Sequence, residues 1–393
     1  MNKSKLILVV MACMMLTVVS AKNVVVTVTN EEKVQRQEVV EIDLYPVYKL
    51  LAINVGEPIV VKNALGQEVE YQISYDGKIL VDVAVRPCGS AELTISAGNP
   101  KTMKTYVTGR MYPERVDDIA WENDRTAYRI YGPALQKSGE RAFGVDVWVK
   151  NTPDLEVEKR YSTELSNHPT ISSLKAQGKN EEAFAMEIAT TYHFDHGYGL
   201  DCYKVGPTLG GGAPALMKNG ELIYPYCFKD YKVLDNGPLR FTVELTYHPN
   251  ADGVTEHRLI SLDRGSHYNK MTVWYDGIKQ STAWASGVVL NGDGQLLLGK
   301  DYVLYADPTD NPKVHQSQIY VGTLFPNGVD ETKMLKGNKN HGLGIVSQYS
   351  GKPYTYYFGS AWSSYDVRTM TEWQLLANNY LYNIKNPLTT EIK

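Results

Sequence analysis

Short runs of Val, Ile and Tyr, each of strand length, recur along most of the chain between clusters of Gly, Asn, Asp and Pro. Examples are NVVVTVTN at residues 23–30, RFTVELTY at 240–247 and YTYYF at 354–358. Alternating, β-branched runs of this length predict strands, and turn residues at this spacing are typical of sandwiches. The pattern therefore predicts a mainly all-β protein.

Three segments depart from this pattern and predict helices. They are residues 44–53, 172–185 and 371–384. In the last segment Trp373 and Leu376 begin an apolar stripe with spacings of three and four, which places them on one helix face.

The strand pattern divides the chain into two predicted domains. Residues 22–105 predict a small N-terminal β-sandwich, and residues 106–390 contain too many strands for one immunoglobulin-type sandwich. The larger part therefore predicts a two-sheet super-sandwich that carries the catalytic site.

The first residues are typical of a secretory signal. Lys3 and Lys5 precede an apolar run from Leu6 to Val19, and the small residues Ser20 and Ala21 follow this run. This arrangement predicts a signal peptide at 1–21 and an exported protein in the periplasm or outside the cell. Lipoprotein processing at Cys13 is a less favoured alternative, because the apolar run continues past it. The rest of the chain holds no apolar stretch long enough to span a membrane.

Composition excludes some functions and favours others. The net charge is -4, so no basic face for nucleic acid is indicated. Tyr outnumbers Phe by 28 to 7, which favours a polar ligand in a β-rich protein. Cys88, Cys202 and Cys227 remain after the signal, and whether Cys202 and Cys227 form a disulfide stays open.

The segment RMYPERVDDIAWENDRTAYRIYGPAL, from Arg110, mixes charges of both signs with aromatic residues. A charged sugar needs an aromatic plane for its ring and amide or guanidinium groups for its hydroxyls and carboxylate. The candidate substrate-binding residues here are Arg115, Trp121, Asn123 and Arg125. Salt-bridged strand edges are the alternative interpretation.

The segment TYHFDHGYGLDCYKVGPTLGGGAPAL, from Thr191, concentrates His, Asp and Tyr. If residues 191–195 form a strand, His193 and Asp195 share a face, and the carboxylate can orient the imidazole as a general base. Tyr198 and Lys204 are further candidates for substrate binding, as is Tyr226 in the later string YPYCFKDY.

A divalent metal is an alternative for this segment. His193, Asp195, His196 and Asp201 carry nitrogen and oxygen ligands, but HxDH is less specific than HExxH. No cofactor is therefore favoured. The triple Gly lacks the Lys-Ser/Thr of a phosphate loop, and no GxSxG indicates a serine nucleophile.

Several strings resemble an exported bacterial family long labelled as of unknown function, which is encoded in polysaccharide-utilisation loci beside unsaturated uronyl hydrolases. They are ERVDDIAWENDRTAYRIYGPAL, YHFDHGYGLDCYKVG, DNGPLRF and KNPL. ISLDRGSHYNKMTVWYDG is similar to sandwiches of the galactose-mutarotase type. The resemblance implies a sandwich of the galactose-mutarotase type. It also implies membership of a family that includes a dehydratase, which removes water from the non-reducing terminal uronic acid of acidic oligosaccharides.

Such an elimination needs a cation for the carboxylate, a base for H5 and an acid for the 4-hydroxyl. Arg115, Asn123 or Arg125 is expected to bind the carboxylate, and His193 to act as the base. Tyr203, its pKa lowered by Lys204, or His196 is expected to be the acid. Glu122 is an alternative acid. A polysaccharide lyase, a glycoside hydrolase using Glu122 with another carboxyl group, and a non-catalytic glycan-binding protein remain alternatives.

Overall fold

A computed structural model describes residues 22–309 and 317–393 of the protein. The predicted signal peptide and Cys13 lie outside the described residues. Among the cysteines in these ranges, Cys88, Cys202 and Cys227, none forms a disulfide bond. No helix in the described ranges is long and apolar enough to cross a membrane.

The N-terminal part folds into two small antiparallel sheets and one helix. Its elements are β1 (Asn23–Asn30), β2 (Arg36–Asp43), α1 (Leu44–Leu51), β3 (Ile59–Asn63), β4 (Tyr71–Ile73), β5 (Lys78–Val85) and β6 (Gly89–Ala97). Val26, Ile42, Val47 and Ile95 belong to the separate apolar core that these elements enclose.

The middle of the chain contains a four-stranded sheet followed by two helices. The elements are β7 (Thr108–Tyr112), a 3-10 turn (Pro113–Arg115), β8 (Asp118–Glu122), β9 (Ala127–Ile130), α2 (Pro133–Lys137), β10 (Val145–Trp148), α3 (Val157–Ala176) and α4 (Asn180–Thr190). The strand order is β10-β9-β8-β7.

The remaining elements build the two large sheets. They are β11 (Gly211–Lys218), β12 (Glu221–Ile223), β13 (Phe228–Gly237), β14 (Arg240–Tyr247), β15 (Thr255–Asp263), β16 (Tyr268–Asp276), β17 (Thr282–Val289), β18 (Gln295–Leu298), β19 (Tyr302–Asp307), β20 (Ile319–Leu324), β21 (Glu331–Leu335), β22 (His341–Tyr349), β23 (Tyr354–Trp362), α5 (Met370–Lys385) and β24 (Thr389–Ile392).

These strands form an eight-stranded antiparallel sheet, β13-β14-β15-β16-β23-β20-β19-β18, and a five-stranded one, β12-β11-β17-β22-β21. Buried side chains of both sheets and of the small sheet meet in one core, including Phe241, Met271, Trp284, Leu343 and Trp121. The prediction of an all-β sandwich protein is confirmed.

The outer face of the eight-stranded sheet is covered in part by α5. Trp373 is fully buried there and stacks on Tyr268, with ring centroids 4.9 Å apart. After α5 the chain returns to the N-terminal part, where β24 pairs with β1 and completes the sheet β24-β1-β6-β3.

Two of the three predicted helices are confirmed, namely α1 and α5. The single helix predicted over 172–185 is wrong, because α3 ends at Ala176 and α4 begins at Asn180. Gly178 lies between them with φ of 74°, a left-handed conformation that ends a helix at little cost for glycine.

Candidate active site

One face of the sheet β7–β10 is lined with charged side chains. Side chains alternate along each strand, so Trp121 and Tyr128 point into the main core while their neighbours Glu122 and Arg129 point to the opposite face. Helix α3 and the segment 191–203 cover that opposite face. Asp118, Glu122, Arg129 and Asp146 are consequently all buried.

Arg129 is the centre of this charged face. Its Nη2 lies 2.5 Å from Asp146 Oδ2 and 2.9 Å from Asp201 Oδ2, and its Nη1 lies 3.9 Å from Asp118 Oδ2. Burial raises the pKa of Asp146 to about 7 and that of Asp118 to about 6. One guanidinium therefore serves three carboxyl groups, and burial favours the protonated form of two of them.

Several atoms of this cluster are buried without a hydrogen-bond partner among the described residues. They are Asp118 Oδ2, Arg129 Nε and Nη1, and the hydroxyl of Tyr161. Most buried polar atoms in folded proteins have a partner, so a concentration of unpartnered ones calls for an explanation. Perturbed carboxyl groups beside a specific charge partner are also typical of functional sites.

His193 lies at the solvent edge of the cluster, and its side chain is 53% exposed. Its Nδ1 is 2.9 Å from the backbone oxygen of Asp201 and 3.7 Å from the carboxylate of the same residue. A carbonyl oxygen only accepts, so Nδ1 carries the hydrogen and Nε2 keeps its lone pair. Nε2 has no partner among the described residues, which is the arrangement of a general base.

The carboxylate that contacts His193 is not the predicted one. Residues 191–195 form a turn after α4, not a strand, so the side chains of His193 and Asp195 are not aligned by alternation. Asp195 Oδ1 instead accepts the backbone amides of Gly197, at 2.8 Å, and Gly199, at 2.9 Å. Asp195 therefore stabilises the loop, and Asp201 orients the imidazole.

His196 is exposed on the same loop. Its Nε2 donates to the backbone oxygen of Thr191 at 2.9 Å. Within the described ranges no three His, Cys, Asp or Glu side chains are arranged to hold a metal ion. Of the residues considered as ligands, His193, Asp195 and His196 bond to backbone groups, and the Asp201 carboxylate pairs with Arg129.

Arg115 is half-buried beside the same loop. Its Nε donates to the hydroxyl of Tyr192 at 3.0 Å, and the Tyr192 ring lies 4.6 Å from the His193 ring. The two residues after Arg115, Val116 and Asp117, have φ of 48° and 64°. Left-handed backbone is strained for a β-branched residue, and such strain clusters at functional sites.

The family of the chain is shown by a family model that matches residues 28–393, described as Domain of unknown function (DUF4861). The protein belongs to the DUF4861 family. The Uncharacterized protein P7 of Formosa agariphila is 25% identical over 305 residues, which are 73% of this chain and 70% of that protein.

Two solved structures are similar to this DUF4861 chain at low identity. An alpha-mannosidase from Enterococcus faecalis V583 has a TM-score of 0.49 and 9% identity over 95% of this chain. A protein in the Glycosyl Hydrolase Family 38 from Enterococcus faecalis has a TM-score of 0.49 and 8% identity over 95% of this chain. The DUF4861 chain spans 46% and 47% of their lengths, and likenesses of this size support no inference about activity.

Four of the residues predicted for the site are buried, and three of them bond to protein partners. Trp121 Nε1 donates to Asn269 Oδ1 at 2.8 Å, and Asn123 Nδ2 donates to the backbone oxygen of Asp263 at 2.6 Å. Neither side chain is open to a sugar. Glu122 pairs with Lys150, and Tyr203 is only 4% exposed.

The predicted effect of Lys204 on Tyr203 is wrong. Burial raises the pKa of the Tyr203 phenol well above its ordinary value, and the nearby carboxyl group of Asp307 adds to this effect. Lys204 is exposed and points to solvent. Tyr203 thus remains protonated but lies inside the core.

Three other predicted binding residues have contacts of their own. Arg125 pairs with Asp366 at 3.0 Å, and Tyr226 is exposed beside His248. Tyr198 lies under the ammonium of Lys159, 4.1 Å from the ring centroid.

Asp146 and Tyr161 belong to the cluster but were not predicted. Asp146 interrupts the apolar strand string VDVW, and an acidic residue inside a strand that is buried on both faces is the signal that identifies it. Tyr161 stands in a helix of mixed composition and gives no such signal.

Proposed function

We propose that this protein is an exported, carbohydrate-active enzyme that eliminates water from the non-reducing terminal uronic acid of acidic oligosaccharides. The product carries a 4,5-unsaturated uronyl group. The observation that carries the proposal is His193, whose Nδ1 is held by the Asp201 backbone oxygen and whose Nε2 has no partner among the described residues. Arg115 bonds to the hydroxyl of Tyr192, the residue next to His193. The resemblance of the two polar segments to a family that includes such a dehydratase supports it.

The reaction breaks the C5–H and C4–O bonds and forms the C4=C5 double bond. In the proposal Arg115 binds the uronate carboxylate through its Nη atoms, which makes H5 more acidic. His193 Nε2 takes this proton, and the resulting imidazolium is stabilised by the Asp201 carboxylate 3.7 Å from Nδ1. The electrons of the C5–H bond form the C4=C5 double bond, and the electrons of the C4–O bond leave with the oxygen as hydroxide.

The leaving hydroxide needs a proton from an acid. His196 is exposed and three residues from His193, whereas the Tyr203 hydroxyl is enclosed in the core. We therefore favour protonated His196, which donates from Nδ1 while Nε2 stays bonded to Thr191. The hydroxide leaves as water.

A polysaccharide lyase would use the same groups, with a sugar in place of hydroxide as the leaving group. A hydrolase is less well supported, because it needs two accessible carboxyl groups. Glu122, one of the predicted pair, has a side chain only 1% exposed and is bound to Lys150.

The test is incubation of the purified protein with oligosaccharides that end in a uronic acid, followed by ultraviolet absorbance and mass spectrometry. We expect absorbance of a conjugated unsaturated acid and a product lighter by one water. His193→Ala should abolish this signal, whereas His168→Ala, whose side chain is similarly exposed at 55%, should not. A shorter chain with an unsaturated end would indicate a lyase. Release of saturated sugar, or turnover by His193→Ala, would overturn the proposal.

A further inference from the structure

A second concave site lies on the outer face of the eight-stranded sheet. It is a groove of about 840 Å³, within the range of about 300–1,000 Å³ usual for ligand pockets. Strands β15, β16 and β23 form its floor, while α5 and β2 form its walls. His193 and Arg115 are not among its lining residues.

The walls of the groove are held by specific contacts, so its shape is preformed. Gln72 of the N-terminal part accepts the backbone amides of Leu239 and Arg240 and donates to the Arg240 carbonyl oxygen, at 2.7–3.0 Å. On the opposite wall Arg36 donates to the backbone oxygen of Asn386, just after α5. A preformed site loses less conformational entropy when a ligand binds.

The charges in the groove are largely neutralised within the protein. Arg240 binds both oxygens of Asp263, at 2.5 and 2.8 Å, and also Glu41, at 2.6 Å. Arg125 is paired with Asp366, which also accepts from His267. These guanidinium groups are already satisfied by carboxylates, so they offer little attraction for an anion.

Uncharged hydrogen-bonding groups are what the groove leaves open. Asn379 and Asn383 lie four residues apart on one face of α5, and Tyr357 faces them from β23. None of these three side chains has a hydrogen-bond partner in the described part of the chain. Burial raises the pKa of Tyr357 to about 12, so the phenol remains a donor. Lys270 also lines the groove, and its ammonium has no partner among the described residues.

We propose that this groove binds a neutral oligosaccharide chain at a site separate from the His193 centre. Amides and a phenol match sugar hydroxyl groups, and the half-buried Tyr357 ring offers an apolar face for a sugar ring. The groove extends to Arg125. Four residues of extended chain, roughly 13 Å, separate Arg125 from Arg129, the centre of the charged face. The proposal does not rest on the elimination reaction.

The test is saturation-transfer NMR and calorimetry on the full protein with cellohexaose, xylohexaose and mannohexaose as neutral chains, and hexagalacturonate as the charged comparison. We expect binding of at least one neutral chain in preference to the charged one. Asn379→Ala should weaken this binding about fivefold, the effect of one lost hydrogen bond. Asn378→Ala is the matched control, because Asn378 is exposed on α5 but does not line the groove.

Three outcomes would overturn the proposal. They are no binding of any neutral chain, binding of the charged chain alone, and equal binding by Asn379→Ala and the control. His193→Ala should leave binding of the neutral chain unchanged, since His193 does not line the groove. Loss of turnover in that variant with intact binding therefore separates this proposal from the proposed elimination.

Discussion

Lys150 provides a quantitative test of the buried charged face. Its side chain is fully enclosed, and Nζ lies 2.5 Å from Glu122 Oε2, 2.7 Å from the Asn123 oxygen and 2.6 Å from the Asp154 oxygen. The other oxygen of Glu122 accepts the amide of Val157 at the start of α3, at 2.6 Å. Lys150→Met keeps a similar aliphatic stem and removes the ion-pair partner of the buried Glu122 carboxylate.

Breaking a buried ion pair by removing one partner costs about 3–5 kcal/mol. A typical domain has a free energy of unfolding of about 5–15 kcal/mol, so this substitution should remove a large part of it. Adding Glu122→Gln should recover about 2 kcal/mol, because the amide still accepts from Val157 but carries no charge.

The assay is urea unfolding followed by circular dichroism. Lys175→Met is the control, because its pair with Glu187 is about half exposed and should contribute at most about 1 kcal/mol. A cost for Lys150→Met of less than about 1 kcal/mol would refute the reasoning. So would a double variant no more stable than the single one.

Three further predictions concern the Arg129 cluster and the core. Asp201→Asn should lower kcat of the proposed elimination, because the imidazolium formed on His193 loses a carboxylate 3.7 Å away. An unchanged kcat would contradict this role of Asp201. Burial raises the pKa of Asp146 from 3.8 to about 7. The contribution of this residue to stability should therefore be lost as the pH rises from about 4 to 7. The difference between the urea midpoints at acid and neutral pH should be smaller in Asp146→Asn than in the wild type. Gly212→Ala should lower the free energy of unfolding by about 1–3 kcal/mol, because the added Cβ would lie 2.3 Å from Phe358 Cβ. Gly220→Ala is the control and should lower it less in the same assay, because nothing lies within 4 Å of its added Cβ.

The strings at 23–30 and 240–247 coincide with β1 and β14. These strands were predictable because their two faces differ in burial. Helix ends were less predictable, since apolar periodicity continues across a break. Gly178 alone signals the division between α3 and α4, and its effect depends on a left-handed φ that the sequence only permits.

The two polar segments were identified from sequence, and the structure brings them together through the contacts Arg129–Asp201 and Arg115–Tyr192. The exposure of individual residues was not predictable. The sheet β7–β10 is covered on both faces, by the main core and by α3, so alternation separates Trp121 from Glu122 without exposing either. Trp121, predicted to bind a sugar ring, and Glu122, predicted as an alternative acid, are both enclosed for that reason.

Much of the tyrosine excess likewise reflects packing. Tyr128, Tyr268 and Tyr356 are almost completely buried, and their rings contact other aromatic rings or the sheet. Tyrosine brings a polar hydroxyl into such a core, and Tyr356 satisfies its own by donating to the Gly212 oxygen at 2.7 Å. The composition therefore indicated β-structure more reliably than a ligand.

The partner of His193 shows why sequence proximity misleads in a glycine-rich loop. Asp195 is two residues away, but a short carboxylate in such a loop caps the amides that follow it, and those of Gly197 and Gly199 occupy it. Asp201, eight residues away, is available because Arg129 fixes its carboxylate from a different strand. In loops of this composition, the acidic residue that contacts a histidine is better sought where a cation from another element can hold it.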